Sequence, residues 1–131
     1  MNYSTDNTRI ISKKDLVTPN DVISKYPIKD EMSKLIYGTR SEISQILHGK
    51  DDRLIAVVGP CSIHDPYSAQ EYAKLLIEEK EKYSEDILLI MRVYFEKPRT
   101  SIGWKGHIND PDINNSFDAN KGLFSARSIL Y

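Results

Sequence analysis

Two short apolar runs, separated by an amphipathic stretch, dominate the second half of the sequence. Leu54–Val58 and Ile87–Met91 are unbroken and rich in leucine and β-branched residues, which is typical of parallel strands buried on both faces. Between them, Asp65 and Pro66 mark the start of a helix that runs to about Tyr83. Its inner face is expected to consist of Ala69, Tyr72, Ala73 and Leu76. This order of elements predicts an α/β fold with a parallel sheet.

A further helix is predicted after the second strand. Turn-forming residues come first, at Asn109–Asp112 and Asn114–Asn115. Either Asp118 or Asn120 then caps a helix that is still running at Tyr131. Its apolar face is expected to consist of Leu123, Phe124, Ile129 and Leu130.

The amino-terminal region is predicted to be helical after a polar start. Residues 1–17 show no firm pattern, and we expect at most a short extended piece at Arg9–Ser12. Thr18 and Pro19 suit the cap and first turn of a short helix that ends before Pro27.

A longer helix is predicted from Asp30 to His48, with Gly49 as its stop. Its apolar stripe consists of Met32, Leu35, Ile36, Ile43, Ile46 and Leu47. The charged segment 50–52 then divides the chain into two regions. Residues 1–50 are predicted to be an oligomerisation or regulatory arm, and residues 51–131 two β/α units.

Composition excludes several classes of protein. Among 131 residues, eighteen basic and nineteen acidic side chains give a net charge of -1, so neither nucleic acid nor an anionic membrane is expected as a partner. The apolar runs are far shorter than the roughly 18 residues that suggest a membrane span, and the polar start lacks a signal peptide's apolar region. The single cysteine excludes an internal disulfide. These features predict a cytoplasmic protein.

Four cationic side chains follow the second strand: Arg92, Lys97, Arg99 and Lys105. Ligand sites of parallel α/β folds lie at the carboxyl ends of the strands. Pro98 stiffens the loop, and Arg and Lys both bind phosphate or carboxylate oxygens. The sequence therefore predicts an anion-binding site, although a merely solvated basic loop remains the alternative.

The only cysteine, Cys61, follows the first strand and so belongs to the same edge of the sheet. A thiolate there could bind a divalent metal or act as a nucleophile, while the alternative is an inert, buried side chain. His64 gives only a second ligand, and catalytic metal sites usually take three or more from the protein, so we do not assign it to a metal. His48 and His107 are interpreted as ordinary polar histidines of a helix end or loop.

Two sequence blocks resemble the type I 3-deoxy-D-arabino-heptulosonate 7-phosphate (DAHP) synthases. They read VVGPCSIHDP, at residues 57–66, and MRVYFEKPRTSIGWKGHINDP, at residues 91–111, and the start MNY..D..RI extends the likeness over the whole chain. The resemblance implies a (β/α)8 barrel enzyme of the shikimate pathway, which leads to chorismate and the aromatic amino acids. Such an enzyme condenses phosphoenolpyruvate with erythrose 4-phosphate and releases phosphate, using a divalent metal such as Mn, Fe, Co or Zn.

The resemblance also implies roles for individual residues. Cys61 matches a metal ligand, and Arg92 and Lys97 match the cations that bind phosphoenolpyruvate, with Lys97 also serving catalysis. The segment that receives erythrose 4-phosphate matches Lys97, Pro98, Arg99 and Thr100. Asp6 and Asn7 fall where phenylalanine-sensitive members contact an aromatic amino acid inhibitor, and Asn7 departs from an acidic residue there. A homo-oligomer is implied.

Length sets a limit on these implications. A closed barrel needs about 200 residues, whereas residues 51–131 supply two of its eight β/α units. We therefore expect the chain to be the amino-terminal part of such an enzyme and to be inactive alone. The alternative is a non-catalytic fragment that associates with full-length subunits.

Overall fold

The computed structural model describes residues 5–97 and 102–131. Its elements are α1 (Pro19–Lys25), α2 (Asp30–Leu47), β1 (Leu54–Val58), α3 (Pro66–Lys82), β2 (Ile87–Met91) and α4 (Ala119–Leu130). The predicted α/β class is confirmed, with both strands at the predicted bounds. In this described part of the chain, every helix is too short or too polar to cross a membrane.

The two strands form a parallel pair in which Leu54 lies beside Ile87 and Val58 lies beside Met91. Helix α3 connects them and packs on β2. Leu88 of β2 and Ala69 of α3 are both buried. Since the strands are parallel, both end at the same edge of the sheet. The segments that follow them therefore start side by side.

The strands have the sequence pattern of strands buried on both faces, but in this chain they are only partly buried. Leu54 is 71% exposed and Val57 is 62% exposed. No further strand lies beside β1 or β2 within the described residues, and the described helices cover the pair only in part. Apolar side chains with the composition of a barrel interior consequently face solvent.

Helix ends follow the predicted capping residues. The Thr18 hydroxyl accepts a hydrogen bond from Asp21 N, and the Asp21 carboxylate accepts one from Thr18 N, which completes a capping box. Asp65 caps α3 by accepting from two main-chain amides. Of the two candidates for α4, Asp118 is the cap. Gly49, with a φ of 68°, follows the end of α2.

Asn120 instead binds the part of the amino-terminal arm that precedes α1. Its amide oxygen accepts from Val17 N at 2.9 Å, and its amide nitrogen donates to Asp15 O at 3.0 Å. The short piece at Arg9–Ser12, for which at most an extended conformation was expected, forms no strand with the other described residues. Its first two residues belong to a turn in which Ile10 N donates to Asn7 O. The arm is therefore fixed by a side chain rather than by a sheet.

The helices of the first fifty residues contact the β/α units at two places. Arg127 of α4 donates to Tyr26 O, at the end of α1. Arg53, just before β1, forms ion pairs with Glu42 of α2 and with Asp51, and the pKa of Asp51 is lowered chiefly by its hydrogen bonds with Arg53. The division at residues 50–52 stays a prediction, since these contacts cross it.

Candidate anion-binding site

The segments that leave the two strands run together. Arg92 N donates to Val58 O at 2.7 Å, and two residues later Ile63 N donates to Tyr94 O, also at 2.7 Å. Gly59 permits this close approach, because it has a φ of 147° and a Cβ there would lie 2.8 Å from Arg92 O. The geometry thus brings the segment around Cys61 against the segment that begins with Arg92.

Arg92 and Cys61 meet directly at this edge. The guanidinium of Arg92 donates from Nη2 to Cys61 O at 3.0 Å and lies 5.5 Å from the centroid of the Tyr94 ring. Both Arg92 and Cys61 are exposed. The alternative interpretation of Cys61 as a buried packing residue therefore does not describe its position in this structure.

Lys97 is held by a short antiparallel pairing that the sequence did not reveal. Glu96 bridges to Gly106, Lys97 N donates to Lys105 O at 3.1 Å, and His107 N donates to Phe95 O at 2.6 Å. We call residues 95–97 and 105–107 the paired segments. The pairing places Lys97 and Lys105, both half-buried, opposite each other on the two paired segments. Pro98, Arg99 and Thr100, also predicted for this site, lie outside the described residues.

His107 lies in a turn, as expected, but it is buried, which its interpretation as an ordinary polar histidine of a loop did not anticipate. It is 2% exposed, and its Nε2 lies 2.8 Å from Ser125 Oγ of α4. Burial lowers the pKa of His107, while the nearby His64 main chain and the charge of Asp112 act in the opposite direction. His48 is the helix-end histidine that was predicted, with Nδ1 2.6 Å from Ser44 O.

Comparison with known proteins gives the chain a family. The model of the "DAHP synthetase I family" matches residues 24–127. The chain belongs to the DAHP synthetase I family.

Relatives within the DAHP synthetase I family are much longer than this chain. The "Phospho-2-dehydro-3-deoxyheptonate aldolase, Phe-sensitive" of Escherichia coli (strain K12) is 48% identical over 130 residues, which are 99% of this chain and 37% of the relative. A Trp-sensitive aldolase of Buchnera aphidicola (subsp. Schizaphis graminum) is 49% identical over 126 residues, 96% of this chain and 36% of that relative. The chain thus spans slightly more than a third of the length of each of these two relatives.

A solved DAHP synthetase family structure resembles the fold closely. The phospho-2-dehydro-3-deoxyheptonate aldolase of Francisella tularensis SCHU S4 matches with a TM-score of 0.88 and 52% identity. The match covers 92% of this chain and 35% of that one. The fold agrees with that of a segment of this longer family member.

The metal site expected in the DAHP synthetase I family is incomplete among the described residues. Within residues 5–97 and 102–131, no three side chains of the types His, Cys, Asp and Glu are grouped to hold a metal ion. His64 is exposed, three positions after Cys61. The described residues by themselves therefore do not fit a bound divalent metal, and Cys61 supplies at most one ligand.

Two further buried polar groups near the site were not found from the sequence. Asp110 is 3% exposed, and its carboxylate accepts from Asn115 N while its main-chain oxygen accepts from Trp104 Nε1 at 2.7 Å. Ser62 is 6% exposed and lines an apolar cavity of about 410 Å³ at the start of α3. Asn109–Asp112 was interpreted only as a turn, and no local pattern indicates which turn residue is buried.

Proposed function

We propose that this chain is part of a DAHP synthase, which condenses phosphoenolpyruvate with erythrose 4-phosphate to give DAHP and phosphate. The observation that carries the proposal is the contact of Arg92 with Cys61 at the edge where both strands end, in a chain 48% identical to a named aldolase of this family. The two β/α units would be the first of a (β/α)8 barrel. The cytoplasmic location stays a prediction.

Both substrates are anionic, and the proposed roles follow from their charge. Arg92 binds the phosphoenolpyruvate anion in a fork, and Lys97 adds a point charge beside it. Residues 97–100 receive the phosphate of erythrose 4-phosphate. The enol-phosphate carbon then attacks the aldehyde carbon, and one water molecule is consumed as phosphate leaves. Lys97 would neutralise either phosphoenolpyruvate or the developing alkoxide. Cys61 is proposed as one ligand of a divalent metal whose other ligands lie outside the described residues.

A chimaera tests the proposal. Residues 1–131 replace the matching segment of the E. coli relative, and phosphate release is followed with both substrates. We expect activity from the chimaera and a loss of both bound metal and activity in Cys61→Ala, because no neighbouring side chain offers a comparably soft ligand. His64→Ala is the matched control and should keep its metal. A folded but inactive chimaera, or full metal content in Cys61→Ala, would contradict the proposal.

Substitution of Arg92 and of Arg99 should each weaken the binding of a different substrate. In the chimaera, Arg92→Ala should raise the KM for phosphoenolpyruvate, and Arg99→Ala should raise the KM for erythrose 4-phosphate. Each loss of binding free energy should be roughly 2 to 5 kcal/mol if a desolvated charge pair is broken. Steady-state kinetics with one substrate varied at a time measures this. Lys74→Ala, on the exposed part of α3, controls for general loss of positive charge. Equal effects of both arginine substitutions on both substrates would disprove the assignment.

We also propose that the arm takes part in feedback inhibition by an aromatic amino acid. The relatives named Phe-sensitive and Trp-sensitive support this regulation. Asp6 and Asn7 lie in the described arm, and Asn7 adopts a φ of 57° before the arm reaches its contact with Asn120. Deleting residues 1–12 from the chimaera should abolish inhibition by phenylalanine, tyrosine or tryptophan, as measured by phosphate release. Unchanged inhibition would remove the arm from the mechanism.

A second candidate function is association without catalysis. The exposed apolar side chains of β1 favour it, because they offer a surface for another subunit. Co-expression of the tagged 131-residue chain with the untagged E. coli relative tests it by co-purification. Homo-oligomerisation of the longer protein is part of the same proposal.

A further inference from the structure

His107 joins three parts of the chain at one point. Its main chain closes the paired segments by donating to Phe95 O at 2.6 Å. Its ring lies 6.2 Å from the Phe95 ring, and its Nε2 lies 2.8 Å from Ser125 Oγ on α4. Among the described residues it is the largest fully buried side chain. A buried hydrogen bond such as that of Nε2 fixes geometry more narrowly than an apolar contact does, although Nδ1 has no hydrogen-bond partner among the described side chains.

The paired segments carry Lys97. Its main-chain nitrogen is bonded to Lys105 O, next to the pair formed by His107 and Phe95. Gly106 brings the segments close together, since a Cβ there would overlap Phe95 O. The position of Lys97 therefore depends on the paired segments, and their position relative to α4 depends on His107.

We propose that His107, through its hydrogen bond with Ser125, is a positioning residue that fixes Lys97 for its anionic substrate. The inference rests on the proposed function, because it takes Lys97 as a phosphoenolpyruvate ligand. Displacing a binding group by about 1 Å can cost up to about a hundredfold in rate, so a small shift of the paired segments is enough to be measured. Loss of stability alone would instead lower the folded fraction of the enzyme, and with it the apparent kcat, and leave the KM for phosphoenolpyruvate unchanged.

A double-mutant cycle in the chimaera distinguishes these effects. His107→Leu and Ser125→Ala should each lower kcat/KM for phosphoenolpyruvate about tenfold, and the double variant should lose about the same tenfold, because both changes break one interaction. His107→Gln, whose amide nitrogen can approach the position of Nε2, should retain most of the activity. Ser128→Ala is the matched control, because Ser128 bonds only to the Ser125 main chain among the contacts seen here.

Thermal melting of each variant is measured beside the kinetics. Unchanged kinetics in His107→Leu, losses that multiply to about a hundredfold in the double variant, or losses confined to variants that are partly unfolded at the assay temperature would each overturn the inference. An inactive unsubstituted chimaera would instead reject the proposed function, and the inference with it. If the chimaera is active and the His107 variants keep its kcat/KM for phosphoenolpyruvate, only the inference is rejected.

Discussion

Replacing Gly122 by alanine should destabilise the chimaera by about 2 to 3 kcal/mol, although alanine is the better helix former. Gly122 is buried in α4, and a Cβ there would overlap Ile108 O and lie 2.6 Å from Ile108 C. These are main-chain atoms, so no side-chain rotation can relieve the overlap. The helix and the 107–108 segment would have to move apart, which would also disturb His107.

Gly38 provides the matched control for this prediction. It also lies within a helix, α2, but a Cβ there would meet nothing within 4 Å. Gly38→Ala should therefore stabilise the chimaera, by up to about 1 kcal/mol, from helix propensity alone. Urea unfolding followed by circular dichroism measures both variants. Shifts of the same sign and size would mean that α4 does not pack closely on the 107–108 segment.

The isolated 131-residue chain should show no phosphate release and should expose apolar surface. Ordering costs about 1 to 2 kcal/mol per residue in conformational entropy, and the buried apolar side chains of the described residues are only Ile63, Ala69, Leu88 and Ala126. The open edges of the two strands add a tendency to associate. Cys61 is also a single ligand, and no group of three metal-binding side chains lies among the described residues, so the proposed chemistry is incomplete in this chain.

Binding of a hydrophobic dye, size-exclusion chromatography and phosphate release measure this prediction, with the chimaera as the control that contains the same residues. The dye should bind the isolated chain strongly and the chimaera weakly. A monomeric, cooperatively melting and active preparation of the isolated chain would contradict it.

Local sequence signals located the helices and strands well. Both strands coincide with the two apolar runs, because each run is short, rich in leucine and β-branched residues and flanked by polar or turn-forming residues. Capping chemistry at Thr18 and Asp65 fixed the helix starts for the same local reason. The segments that follow the strands were correctly expected at one edge, since parallel strands end together.

Contacts between distant residues could not be predicted in this way. The burial of His107 depends on Ser125, eighteen residues later, and the arm is held by Asn120, more than a hundred residues away. Neither position belongs to a periodic apolar pattern, so composition and spacing give no signal. The short extended piece expected at Arg9–Ser12 pairs with no strand among the described residues, and local sequence cannot reveal whether such a partner exists.

The hydrogen bonds between Asn120 and the arm involve only main-chain atoms of the arm, so they depend little on its side chains. The single amide of Asn120 pairs with one main-chain oxygen and one main-chain nitrogen, groups that every residue except proline provides. These two hydrogen bonds therefore do not depend on which side chain occupies position 15 or 17, and only proline at 17 would remove one of them. A graft that replaces residues 1–17 by a foreign segment should therefore still form both hydrogen bonds with Asn120, provided that its residue 17 is not proline.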